Sequence, residues 1–214
     1  VKILVLFLLF GTGVSAQDPA KTLPADLEIP LKYGAERLEK RQDASMRKFR
    51  DNRLGLFIHW GLYAITSGEW NGKLYDGPSS FLLKSANITP KEWMKLMDRW
   101  NPTNFDAFRW AQMAKRMGVK YLKITTKHHD GFCLWPSAYS KYTVAQTPGK
   151  RDIIGELVKA FDAEGIDVHL YYSILDWSHP DFRYSIKSKE DSIAFSRFLE
   201  FAENQIKELA TRYP

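Results

Sequence analysis

The 214 residues include a single cysteine, Cys133. An internal disulfide is therefore impossible, and the chain must hold together through its core. Apolar runs are short: the longest, Ile3 to Phe10, falls well below the ~20 residues that a bilayer span requires. No segment is of low complexity and no repeat recurs at a fixed period. Charge of one sign is not concentrated either. The 31 basic and 25 acidic residues leave a formal charge of +6, and they alternate from Glu36 to Arg53 as on a solvated helix face, which argues against a nucleic-acid partner. A Cys pair and a His-Glu-x-x-His segment, the commonest zinc signatures, are both missing. What is present is a composition 44% hydrophobic and 14% aromatic, enough to bury a sizeable core.

The N-terminus reads as a targeting segment. Lys2, the apolar run to Phe10 and the small residues Val14-Ser15-Ala16 match an export signal over residues 1–16, with cleavage before Gln17. No cysteine follows to carry a lipid anchor, so the expected product is exported: secreted, periplasmic or lysosomal. Residues 17–52 form a polar lead-in containing Pro19, Pro24 and Pro30. Asn87-Ile88-Thr89 is a glycosylation sequon, relevant only in a eukaryotic secretory pathway.

From Arg53 onward, strands alternate with helices, the pattern of parallel βα units in an α/β fold. Leu54 to Gly61 predicts a first strand, Val119 to Thr126 a second and Asp167 to Leu175 a third. Between them, Thr89-Pro90-Lys91-Glu92 is a capping box opening a helix to about Trp100. Thr103 is expected to cap a helix from Phe105 to Met117 with Phe105, Phe108, Ala111, Met113 and Met117 on its apolar stripe. Asp152 caps another that runs to Glu164 before Gly165, and a last helix begins at Ser188 or Lys189. Three strands cannot close a barrel, and the alternation calls for a fourth strand where the chain stops at Tyr213-Pro214. With an initial Val, the reading is of a truncated chain.

Titratable and aromatic residues collect at the ends of these strands: His59-Trp60-Gly61, His128-His129-Asp130-Gly131, and Tyr171-Tyr172 to Asp176-Trp177, with Gly68-Glu69-Trp70 in the long loop after the first. The carboxyl ends of parallel strands are where α/β folds place ligand chemistry. Imidazole and carboxylate groups bond hydroxyls while an indole face covers the apolar side of a sugar ring, so the physical inference is a sugar site. Each piece has a plainer reading as well. His59 alone is more often a satisfied core histidine, and Glu69-Trp70 could be surface. Adjacent His128 and His129 would point to opposite faces of a regular strand unless the chain already turns at Gly131. Trp135 beside Pro136 reads as core.

Together Arg53-Leu54-Gly55-Leu56-Phe57-Ile58-His59-Trp60-Gly61, Gly68-Glu69-Trp70, Thr126-Lys127-His128-His129-Asp130-Gly131-Phe132, Arg151-Asp152-Ile153-Ile154-Gly155-Glu156-Leu157 and Leu170-Tyr171-Tyr172-Ser173 to Asp176-Trp177 resemble the N-terminal half of the alpha-L-fucosidases of glycoside hydrolase family 29. The resemblance implies a (β/α)8-like barrel, of which residues 53–214 supply the first three βα units. It also implies a retaining exo-glycosidase that removes terminal alpha-L-fucose from fucosylated glycans without a cofactor or metal. By the same resemblance His59, Glu69, Trp70, His128, His129 and Tyr171 are substrate-binding, Tyr171 being chosen over Tyr172. The family's nucleophile, an aspartate after the fourth strand, and its acid/base match no position here, and Asp130, Asp152 and Asp176 match no catalytic one. Two alternatives stay open: a carbohydrate-binding relative without catalysis, and a metal-dependent hydrolase using His59, His128, His129 and His169 or His179.

Overall fold

The computed structural model describes residues 2–5 and 44–213. The chain divides into two compact units, Val1–Leu6 with Leu54–Pro214, and Phe7–Arg53. Within the second, the described part is helix α1, Ala44–Asp51. The first unit is built on a parallel sheet of four strands: β1 (Lys2–Val5), β2 (Gly55–Ile58), β5 (Tyr121–Lys127) and β6 (Asp167–Tyr172), in the order β1-β6-β5-β2. A small antiparallel hairpin, β3 (Glu69–Trp70) with β4 (Lys73–Leu74), stands in the long connection after β2. The helices are α2 (Tyr63–Thr66), α3 (Leu82–Ser85), α4 (Pro90–Trp93), α5 (Ala107–Arg116), α6 (Ile153–Ala163) and α7 (Lys189–Arg212).

Strand alternation gives the sheet two unlike faces. Leu122, Ile124 and Leu170 are fully buried on one, in a core shared with Ala111, Ala114, Ile154, Leu157, Phe161 and Phe198 of the helices. On the other, Phe57, Tyr121, Lys123 and His169 meet one another: the Lys123 ammonium lies 5.1 Å from the Phe57 ring, and Tyr121 stacks on His169 at 5.1 Å.

Helix starts follow their caps. Thr89 accepts from the Glu92 amide, Asp152 from Gly155 and Ser188 from Asp191, as expected. Three expectations are corrected. The helix from Thr89 turns from α to 3₁₀ at Met94–Arg99. α5 is capped by Asp106, whose carboxylate accepts from the Arg109 amide at 2.9 Å, and not by Thr103. Its buried face is Ala107, Ala111 and Ala114, whereas Phe108, Met113 and Met117 are 50%, 48% and 64% exposed. Small alanines permit a close approach to the neighbouring helix α6 that larger side chains would prevent, so packing overrode hydrophobicity in choosing the face.

Lys2–Val5 pairs in parallel with His169–Tyr172, on the edge of β6 that a fourth strand would otherwise take. A bare parallel edge presents unpaired amides and carbonyls, and a short apolar run suits it. Cleavage before Gln17 would vacate that edge. Residues 6–43, which include most of the expected signal and the lead-in prolines, lie outside the described residues.

Candidate sugar-binding site

The adjacent histidines reach one site because β5 is irregular. Thr125 pairs with Tyr171 but Lys127 pairs with the next residue, Tyr172, so Thr126 is an extra residue whose hydroxyl donates to the Tyr171 carbonyl at 2.8 Å. Such a bulge re-aims the side chains beyond it. The chain then turns at Gly131, whose φ of +82° suits glycine and whose added Cβ would lie 2.1 Å from Ser178 Oγ. The His128 and His129 rings come to 4.1 Å, His59 stands 5.6 Å from His128, and Tyr171 lies 6.1 Å from His59 and 6.4 Å from His128. Tyr172 points to the other face and donates to Gln205 at 2.8 Å.

The two adjacent imidazoles are desolvated. His128 is 5% and His129 2% exposed. Burial, reinforced for His128 by His129 and for His129 by Lys127, pulls their pKa values down to about 3 and about 4. Both are therefore neutral near pH 7, and each ring offers one donor and one acceptor, the complement of a hydroxyl. His129 Nδ1 is 2.6 Å from Ser173 Oγ, while His128 Nδ1 is buried with no partner among the described residues. His59 is exposed, and loss of water on its covered side lowers its pKa as well. Phe81 closes the site edge-on, 6.2 Å from His128 and 5.3 Å from His129, with Trp177 5.1 Å from His129.

Glu69 and Trp70 are held less directly. Glu69 is exposed on the hairpin; Trp70 packs on Trp93 at 6.0 Å, and Trp93 Nε1 donates to Asp130 Oδ2 at 2.9 Å. Asp130 thus links the hairpin to the histidine turn, and burial raises its carboxyl to about 6. Asp152 accepts the Tyr213 hydroxyl at 2.7 Å, and Asp176 accepts from the Lys127 ammonium at 2.7 Å, so all three aspartates set aside in the sequence have structural partners. Sequence reasoning misses Phe81 and Trp93, which lie far from the histidines along the chain with aromatic density as the signal near them, and it includes Ser173 in the third-strand motif without giving it a role. Among the described residues no group of three or more His, Cys, Asp or Glu side chains is placed to hold a metal ion. His169 stacks on Tyr121, and His179 packs on Phe201 at 4.5 Å. No helix among the described residues is long and apolar enough to cross a membrane.

Comparison with known proteins gives the site its relatives. An alpha-L-fucosidase from Bacteroides thetaiotaomicron, assigned to GH29, superposes with a TM-score of 0.81 at 72% identity, covering 82% of this chain and 40% of that one. Alpha-L-fucosidase isoenzyme 1 from Paenibacillus thiaminolyticus matches at 38% identity and a TM-score of 0.68, over 79% of this chain and 40% of that one. A putative alpha-L-fucosidase 1 from Oryza sativa is 35% identical over 165 residues, 76% of this chain and 26% of the relative. The chain thus spans about a quarter to two-fifths of the length of the relatives it matches. The alpha-L-fucosidase profile itself covers residues 25–214, taking in both strand-end histidine motifs and the hairpin, and the chain belongs to the alpha-L-fucosidase family.

Proposed function

We propose that the whole protein is a retaining exo-glycosidase that releases terminal alpha-L-fucose from fucosylated glycans, and that this chain forms its sugar-binding side as the first three βα units of a (β/α)8-like barrel. The observation that carries this reading is a cluster of neutral imidazoles, His59, His128 and His129, at the carboxyl ends of neighbouring parallel strands. In this role His128, His129 and His59 bond hydroxyls, Tyr171 lines the pocket, and the Glu69–Trp70 hairpin contributes a carboxylate and an indole face. A GH29 relative from Bacteroides thetaiotaomicron has been trapped as a covalent intermediate with a fluorinated fucosyl fluoride, which is support for retention. Retention needs two carboxylates ~5–5.5 Å apart, one to attack the anomeric carbon and one to protonate the leaving oxygen. On this reading they come from other parts of the whole protein, since Asp130, Asp152 and Asp176 each have structural partners.

Hydrolysis of an aryl alpha-L-fucoside by the full-length protein tests the reading, with the anomer first released read by proton NMR. Release of the alpha anomer is expected. Tight fucose binding without turnover would support the non-catalytic relative, and loss of activity to a chelator with recovery on adding zinc would support the metal-dependent one. The export signal is part of the proposal: protein recovered outside the cytoplasm should begin at Gln17, and a chain still carrying Val1 would refute it.

A further inference from the structure

Behind the site, on the helix-facing side of the sheet, lies a buried ion pair that sugar binding does not itself use. Lys127 Nζ is 2.7 Å from Asp176 Oδ2, and the two side chains are 0% and 2% exposed. Burial pulls the Lys127 ammonium toward its neutral form, but the Asp176 carboxylate, with Tyr172, outweighs this and holds its pKa above the ordinary value. Taking two charges out of water is expensive, and apolar side chains of similar volume would commonly hold a strand to a loop as well or better. What the pair adds is direction.

That direction leads to His129. The other oxygen of Asp176 accepts from Ser178 N and His179 N, each at 3.0 Å, and from Ser178 Oγ at 2.7 Å, which folds residues 176–179 into a tight turn. The turn delivers the Trp177 amide to the His129 carbonyl at 2.7 Å. From the same segment Ser173 donates its amide to the Lys127 carbonyl at 3.0 Å and sets its hydroxyl 2.6 Å from His129 Nδ1. The one proton of that hydroxyl goes to the Leu175 carbonyl at 2.9 Å, so Ser173 Oγ accepts from His129 Nδ1–H. In the neutral ring Nε2 is then the acceptor. The loop after β6 is thus tied to the histidine turn at side-chain and backbone level, and the ion pair is its anchor.

We propose that Lys127 and Asp176 are positioning residues for fucose binding, holding the loop after β6 so that Ser173 keeps His129 in its Nδ1–H tautomer and Trp177 against its ring. This rests on the proposed sugar site, but its test has an arm that does not. In the full-length protein, ¹⁵N NMR of the imidazoles, with His129 assigned by its loss in His129→Gln, reads the tautomer directly. Calorimetry with L-fucose reads binding. Asp176→Asn keeps the turn's acceptor oxygen and removes the charge facing Lys127. It is expected to mix the His129 tautomers, leave the His169 resonances in place and weaken L-fucose tenfold or more. A folded Asp176→Asn with unchanged His129 resonances would overturn the proposal. If the single variant does not fold, the double variant Lys127→Met with Asp176→Leu removes the stranded charge and decides: mixed tautomers support the proposal, and a wild-type His129 signal refutes it. Should the wild-type protein fail to bind L-fucose, the proposed function falls while the tautomer arm still tests the anchor.

Discussion

The histidine turn and the Glu69–Trp70 hairpin are two arms of one proposed pocket, and they are held in opposite ways. The turn from Lys127 to Gly131 is buried and tied to β6, to the loop beyond it and to Trp93, through partners 37 to 49 residues distant in sequence. The hairpin pairs with itself across residues 69 to 74, leaves Glu69 exposed, and reaches the turn indirectly, through the Trp70–Trp93 contact and the Trp93–Asp130 hydrogen bond. Position on the first arm is set before any sugar arrives; on the second it depends on a short local pairing that is marginal by itself. Substitutions on the two arms should therefore fail differently.

The largest effect belongs to the buried arm. Replacing His128 or His129 with Ala in the full-length protein removes the proposed hydroxyl contacts, and kcat/KM on an aryl fucoside should fall ~10- to 1000-fold, about 1–4 kcal/mol. Circular dichroism should report an intact fold. Wild-type kinetics in both variants would put the turn on the same footing as the hairpin and break the comparison.

Acid should weaken the buried arm next. The unfolded histidines take up protons near 6.5, but His128 and His129 do so in the folded state only at about 3 and about 4. Between these limits the unfolded chain binds more protons, so stability is lost as pH falls through 6.5 toward 4. Asp130, raised from 3.8 to about 6, acts with the opposite sign, gaining stability as pH falls below 6. Two histidines against one aspartate leave a net loss, on the order of a few kcal/mol between pH 7 and 4. A melting temperature that stays level over that range would contradict the assignment of neutral, buried imidazoles.

Glycine substitutions give the smallest and cleanest contrast. Gly131 and Gly72 both have positive φ, +82° and +76°, but a Cβ on Gly131 would meet Ser178 Oγ at 2.1 Å and Asp176 Oδ1 at 2.7 Å, while one on Gly72 meets nothing within 4 Å. Gly131→Ala should cost about 2–4 kcal/mol from strain and overpacking together. Gly72→Ala pays for backbone strain alone, about 1 kcal/mol. Denaturant midpoints of the two variants decide this, and equal losses would mean that the turn is no more tightly packed than the hairpin.

The motifs were legible because they are local. A Thr, Asp or Ser before a helical period caps the helix by a bond to an amide three residues on, so Thr89, Asp152 and Ser188 could be read directly. The strand-end histidines stood out because a buried parallel ladder has no structural use for paired imidazoles. The buried face of α5 was not legible, since periodicity marks a stripe but cannot say whether the packed neighbours leave room for Phe108 or only for Ala111.

By itself, then, the sequence determined the order of the three central strands β2, β5 and β6 and of the longer helices between and after them, the caps at Thr89, Asp152 and Ser188, and the family, all of which rest on spacing along the chain. Tertiary structure alone decided that Thr126 is an extra residue in β5, that His128 and His129 consequently share one site, that Tyr171 faces it while Tyr172 faces Gln205, and that Lys127 and Asp176 meet behind it. These depend on register and on contacts between residues tens of positions apart. A one-residue change in strand pairing reverses which way every later side chain points, and no local pattern encodes that choice.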